Sequence, residues 1–237
     1  MSAARRTALV SGASRGIGLE VARLFAADGI RVAMLARSES DLSARAREIG
    51  SNAIAIRCDV ASADDVNAAT ARVLEQFGDA PDIVVNNAGL FNLATVEDTS
   101  VEAFRSALDI NLVAPFLVVH AFIRQIRARR HGHIVTIGSI ADRTIFPENA
   151  AYAASKFGVR ALHEVLRAEL RGSGVRTTLV SPASVDTAMW DEIDPDSRPG
   201  FTPRRDMLSA RAVAEAVRYA VSQPADVNVD ELRLSHS

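Results

Sequence analysis

The sequence predicts an α/β fold, a doubly wound parallel sheet of about seven strands with helices on both faces. Three observations predict it. Short apolar runs of strand character alternate with segments of helical apolar spacing along the whole chain, and such alternation implies a parallel sheet covered on both sides. The hydrophobic fraction, 48%, is spread through these runs rather than collected in one tract, which argues for a packed core and against disorder. The 237 residues suffice for one large domain spanning 1–237, and no linker, solenoid repeat or low-complexity tract divides them.

Taken in order, Thr7–Val10 is an apolar strand that runs into a glycine-rich turn. Gly18–Ala27 carries Leu19, Ala22, Leu24 and Phe25 at helical spacing and stops at Gly29, a C-terminal cap. Val32–Leu35 is the second strand, Asp41–Ile49 the second helix and Ala53–Ile56 the third strand. Asp64–Phe77 is a helix and Ile83–Val85 the fourth strand. Val101–Arg129 reads as one long helix that Pro115 should kink. His133–Ile137 is the fifth strand, Ala151–Arg171 a helix ending near Gly172, and Val175–Ser181 the sixth strand. Residues 184–208 lack clear periodicity and hold three prolines and a glycine, the mark of an irregular loop of the kind that serves as a lid. Ser209–Ser222 is helical, and Val227–Leu234 is the last strand.

Composition narrows the functional classes. A net charge of −2 gives no electrostatic case for nucleic acid or an anionic membrane as partner. No uninterrupted apolar run reaches a membrane span, and the segment after Met1–Arg6 is too short for a signal-peptide core. Cys58 has no second cysteine to pair with and reads as a buried structural thiol, in keeping with a reducing cytoplasm. His120, His131, His133, His163 and His236 form no metal-ligand spacing, so no metal is expected.

The turn Ser11-Gly12-Ala13-Ser14-Arg15-Gly16-Ile17-Gly18 joins the first strand to the first helix. Glycines there let backbone approach a pyrophosphate, and the helix N-terminus offers free N–H groups and partial positive charge. The spacing is Gly-x-x-x-Gly-x-Gly rather than the common Gly-x-Gly-x-x-Gly. A site for NAD would usually place Asp or Glu after the second strand to hold the ribose hydroxyls. This chain has Ala36-Arg37 there, and Arg15 adds a second guanidinium, so the expected cofactor is NADP(H), with its 2′-phosphate between the two.

Twenty-six of the 27 basic residues are arginine, and the single lysine is Lys156. A position that keeps lysine in such a chain needs a compact ammonium on a flexible stem. Lys156 lies four residues after Tyr152 on a predicted helix, hence on the same face. A nearby ammonium favours tyrosinate, so the spacing predicts a lowered phenol pKa and acid–base chemistry at Tyr152. Ser139, just after the fifth strand, carries a hydroxyl that can polarise a carbonyl.

With Ser11–Gly18, Asn86-Asn87-Ala88-Gly89, Asn111, Ser139 and Tyr152-x-x-x-Lys156 in this order, the chain resembles the short-chain dehydrogenase/reductase family along nearly its full length. The resemblance implies a Rossmann-like sheet and an oxidoreductase that interconverts a ketone or aldehyde and an alcohol by hydride transfer. It implies that Ser139 polarises the carbonyl, that Tyr152 protonates the alkoxide, and that Lys156 binds the nicotinamide ribose and tunes Tyr152. Asn111 would hold a relay water. Gly12, Ser14, Arg15, Gly16, Ile17, Gly18, Arg37, Asp59, Val60, Asn87, Ala88, Gly89, Tyr152, Lys156, Pro182 and Thr187 would contact NADP(H). Two departures stand out: Ser11 replaces the more frequent threonine, and Pro182-Ala183 replaces the usual Pro-Gly. The pocket candidates Leu90, Ile140, Phe146, Ala183, Met189 and Trp190 favour a small-molecule substrate with an apolar portion. Arg143 reads either as a contact for a substrate anion or as a surface arginine. The family also implies pairing of the Val101–Arg129 and Ala151–Arg171 helices across a two-fold axis, in a dimer or tetramer. A non-catalytic NADP(H)-binding sensor or scaffold of the same fold is the alternative.

Overall fold

Side-chain alternation within each strand divides the core in two. In the computed structural model, which describes residues 5–237, Ala8 and Val10 face one side of the first strand and Leu9 the other. In chain order the strands are β1 (Thr7–Ser11), β2 (Arg31–Ala36), β3 (Ala53–Arg57), β4 (Ile83–Asn86), β5 (Gly132–Ile137), β6 (Val175–Pro182), β7 (Val185–Asp186), β8 (Leu208–Ser209) and β9 (Glu231–Leu234). The helices are α1 (Gly16–Ala27), α2 (Glu39–Ile49), α3 (Ala63–Phe77), α4 (Val101–Leu108), α5 (Ala114–Ala128), α6 (Ala150–Glu169) and α7 (Ala210–Ser222). Seven strands form one sheet in the order β3-β2-β1-β4-β5-β6-β9, all parallel. One face packs on α1, α2 and α7, through Phe25, Leu42 and Val217 among others. The other packs on α3, α5 and α6, through Val73, Phe122 and Leu166. The sheet is thus the Rossmann-like, doubly wound arrangement. Its strand order reverses between β1 and β4, opening a crevice at their C-terminal ends.

Serine side chains start four of the helices. Ser38, Ser62, Ser100 and Ser209 each accept a hydrogen bond from a backbone N–H in the first turn of α2, α3, α4 and α7. Ser209 therefore lies just outside the helix that the sequence begins with it.

The structure corrects two expectations. The predicted long helix Val101–Arg129 is present as one helical stretch, Val101–Ala128, but a wider π-helical turn, Asp109–Val113, separates its two α-helical parts, α4 and α5. Pro115, expected to kink the helix, sits in the first turn of α5, where its missing N–H is tolerated, and the irregular turn precedes it. This helical stretch, Val101–Ala128, is also long and apolar enough to cross a membrane by length and composition. Here its apolar face, Ala114, Val118, Phe122 and Ile126, packs on the sheet. Finally, the last strand begins at Glu231, not Val227. Asn228 takes the place of strand backbone: its amide accepts from Thr177 N–H at 2.9 Å and donates to Thr177 C=O at 3.0 Å.

Residues 184–208 are irregular, as the sequence suggests, but their base is fastened. β7 and β8 form a two-residue parallel pair, and Arg204 bridges Asp186 at 3.0 Å and Asp191 at 2.6 Å.

Candidate active site

The β1–α1 turn lies at the crevice where strand order reverses. Gly12 has φ +65°, and a Cβ there would lie 2.8 Å from the Ala88 backbone. A Cβ on Gly18 would collide with the Gly12 carbonyl oxygen and the Asn87 amide. The two loops are locked together: Asn87 donates to the carbonyls of Ser11 and Gly12, and Ser11 Oγ accepts from Asn87 and Ala88 N–H. The hydroxyl that Ser11 keeps in place of threonine is thus the one that ties the two loops.

The residues fit a dinucleotide. Unlike the serine-capped helices, α1 starts at Arg15 with no side-chain cap and no acidic residue in its first turn. Its N–H groups are open to an anion. Ser14, Gly16 and Ile17 stay partly exposed around that end, and Arg15 and Arg37 are exposed. Buried Asn86, at the end of β4, has an amide with no hydrogen-bond partner, so the crevice wall keeps unused polar capacity. Asp59 caps its own turn through Ala61 N–H, Val60 is buried beside it, and Gly89 is exposed. Pro182 ends β6, and Ala183 continues its pairing by donating to Leu234 C=O at 2.8 Å. Thr187 caps the short turn Ala188–Trp190, with its methyl close to Gly16.

Next to the crevice the structure brings Ser139, Tyr152 and Lys156 together. Ser139 ends the β5 loop and accepts from Ala141 N–H at 3.1 Å. Tyr152 and Lys156 project from one face of α6, with Nζ 5.5 Å from the phenol ring centre. Lys156 is buried, and its ammonium donates to Ile137 C=O at 3.1 Å. Burial pulls that ammonium down to about 8, opposed by the Asp142 carboxylate. Burial pushes the Tyr152 phenol up to about 12; hydrogen bonding to Ser139 works against this, and Asp142 works with it. The lowered phenol expected from the Tyr-x-x-x-Lys spacing is therefore corrected. Loss of hydration dominates at the phenol, and the Lys156 ammonium is bonded to Ile137 C=O rather than to Tyr152.

Asn111 lies in the π-helical turn and is buried. Its side chain is committed elsewhere than the lysine: it accepts from Leu90 N–H and donates to Leu90 C=O, both at 2.8 Å, and to Ser155 Oγ at 2.9 Å.

Sequence reasoning missed two aromatic residues. Phe91 packs edge-on against Tyr152 (4.7 Å between centres) and against Trp190 (5.0 Å), and Trp190 meets Phe201. The only signal was position, directly after Leu90 and within the irregular loop. Phe146, by contrast, lines a separate open groove of about 470 Å³ with Val96, Ile145 and Phe157, which Tyr152 does not line. Arg143 is neither an open anion contact nor a surface residue: it is paired with Asp142 at 2.6 Å and with Glu231.

An uncapped helix behind a glycine turn, at the reversal point of a parallel sheet and beside a tyrosine–lysine pair, defines a class: dinucleotide-binding α/β proteins. Comparison with known proteins narrows it. The chain matches the short chain dehydrogenase family model over residues 6–198, and it belongs to that family of oxidoreductases. It is 35% identical over 232 residues to 2-(R)-hydroxypropyl-CoM dehydrogenase of Xanthobacter autotrophicus, covering 93% of this chain and 92% of that one. An uncharacterized oxidoreductase of Staphylococcus haemolyticus is 33% identical over 228 residues, 96% of this chain and 95% of its own. Among solved structures, an alcohol dehydrogenase from the archaeon Thermococcus sibiricus, complexed with 5-hydroxy-NADP, superposes with a TM-score of 0.87. It is 33% identical over 97% of this chain and 96% of its own. A metagenomic short-chain oxidoreductase in complex with NADP gives 0.83 at 30% identity, over 98% of both chains.

Proposed function

We propose that this chain is an NADP(H)-dependent carbonyl reductase/alcohol dehydrogenase in which Tyr152 is the general acid and base. The observation that carries the reading is the convergence of Ser139, Tyr152 and buried Lys156 beside the open α1 N-terminus. When bound, the nicotinamide supplies or takes up the hydride. Ser139 Oγ donates to the substrate carbonyl oxygen and polarises it. Tyr152 Oη passes its proton to that oxygen, and Lys156 holds the nicotinamide ribose and replaces the phenol proton. Asn111, in the π-helical turn, is assigned to hold a water that relays protons through Lys156. A phenol pushed up by burial is protonated at neutral pH and so can serve as the acid when a carbonyl is reduced.

Preference for NADP(H) rests on Arg15 and on Ala36-Arg37 in place of an acid at the end of β2, and neighbours solved with NADP support it. Gly12, Ser14, Gly16, Ile17 and Gly18 are assigned to the pyrophosphate and Asp59 and Val60 to the adenine. Asn87, Ala88, Gly89, Pro182 and Thr187 are assigned to the riboses and nicotinamide. The Phe91–Trp190–Phe201 aromatic row suits a substrate with an apolar portion. A cytoplasmic location and a small-molecule carbonyl or alcohol substrate belong to the same proposal.

The test is Tyr152→Phe, assayed for NADPH oxidation against a carbonyl panel and for NADPH binding by fluorescence. Turnover should drop at least ~100-fold while cofactor affinity stays near wild type. A variant that keeps most of its activity would refute the acid assignment. Assembly through α5 and α6 is part of the proposal, supported by exposed Val113, Phe116, Phe157 and Val165 on those elements and their boundary. Light scattering at micromolar concentration should give a dimer or tetramer, and a monomeric mass would refute it.

A further inference from the structure

Three residues beyond Ser139, at the end of its turn, lies a fully buried carboxylate that the mechanism above does not use. Asp142 has no exposed surface. Its Oδ2 accepts from Ser181 Oγ, on β6, at 2.6 Å, and its Oδ1 accepts from Arg143 Nε at 2.6 Å. Arg160, one turn after Lys156 on α6, approaches Oδ1 at 3.8 Å. Arg143 also reaches Glu231 on β9. The backbone between Asp142 and Ser139 is closed as well, with Asp142 N–H donating to Ser139 C=O at 3.0 Å. Even the space is reserved: a Cβ on Gly138 would lie 2.8 Å from both Asp142 Oδ2 and Ser181 Oγ.

We propose that Asp142 is a positioning residue: it pins the Ser139 turn to β6 and β9 and places a buried negative charge behind the Tyr152–Lys156 pair. This rests on the reading of Tyr152 as the acid. An interior carboxylate costs several kcal/mol in desolvation, and a neutral side chain could make the Ser181 bond without that cost. The charge therefore needs a use, and the groups around it show one. Arg143 on its own turn and Arg160 on α6 balance Asp142 and Glu231, leaving the cluster near neutral. Removing the Asp142 charge leaves it one unit positive. Lys156 Nζ is bonded to Ile137 C=O, next to Gly138, against which the carboxylate packs, so the charge acts on the Tyr152–Lys156 pair and favours the protonated form of both. A phenol kept protonated is an acid in reserve; without Asp142 it ionises at lower pH.

The test separates charge from anchoring. Tyr152 and Tyr219 are the only tyrosines, so in a Tyr219→Phe background an ultraviolet difference titration reads Tyr152 alone, with no substrate needed. Asp142→Asn, which keeps the bond to Ser181, should lower the Tyr152 midpoint by at least about half a pH unit. Ser181→Ala, which keeps the charge, should leave the midpoint unchanged while lowering turnover through a loosened Ser139 turn. Circular dichroism and thermal melts establish that both variants fold. If Asp142→Asn unfolds, Arg160→Gln serves instead: removing a cation should raise the midpoint. An unchanged midpoint in a folded Asp142→Asn, or an equal shift in Ser181→Ala, overturns the proposal. Because the titration reads Tyr152 ionisation directly, it can fail while Tyr152→Phe still abolishes turnover, and the two readings fall separately.

Discussion

Acid should loosen the helix that carries Tyr152 and Lys156, and the structure gives the size of the effect. His163 lies on α6 two turns beyond Lys156, and its ring bonds Thr136 Oγ1 on β5 at 3.0 Å. His133, on β5, bonds Thr178 Oγ1 on β6 at 2.8 Å. Both are at least 98% buried, and each has a second ring nitrogen with no hydrogen-bond partner. Burial pulls His163 down to about 4 and His133 down to about 3, from 6.5. The folded state therefore holds both neutral, and the unfolded chain binds protons first as pH falls. Stability is full above about pH 7 and is lost progressively from 6.5 downward. At about pH 5 an unfolded histidine is protonated by roughly thirty to one, a cost to the fold of about 2 kcal/mol each. Since both folded values lie well below 5, the figure barely depends on them. Urea unfolding at about pH 8 and pH 5, at one protein concentration, measures the loss in wild type and in His163→Asn. The variant should be less stable at pH 8 but lose about 2 kcal/mol less between the two. Equal losses in both proteins would refute the reasoning.

Two further outcomes follow from the cofactor and lysine assignments. NADPH should bind at least tenfold tighter than NADH, about 1.4 kcal/mol, and Arg37→Asp should narrow or reverse that preference; equal affinities in wild type would refute it. Lys156→Arg should fold but lose cofactor affinity and about 100-fold in turnover. Its buried site offers one carbonyl, Ile137, to a side chain with five donors, and near-normal turnover would make the lone lysine an accident of composition.

Much of this molecule is written locally. Strand cores such as Val32–Leu35 and Val175–Ser181 are read from apolar runs, since burial on both faces demands them. The glycine turn, Tyr152 and Lys156 were legible because each depends on backbone freedom or helix spacing over a few residues. Errors fell where distant groups compete. The π-helical turn at Asp109–Val113 precedes Pro115, and its buried Asn111 is tied to Leu90 and Ser155, a contact that no local pattern announces. Asn228 imitates a strand it does not join, because its amide matches the donor and acceptor of Thr177.

What the sequence by itself determined is the order of elements, the glycine turn at the crevice and the identity of the chemical groups, all of which follow from periodicity, glycine placement and residue type. What only the tertiary structure decided is the energetic setting of those groups. Arg143 could be read from sequence as an open cation, yet the fold closes it between Asp142 and Glu231. Tyr152 could be read as an acidified phenol, yet burial drives it the other way. The reason is physical: proton affinity depends on hydration and on charges brought near through space, and both are fixed only when remote segments pack together.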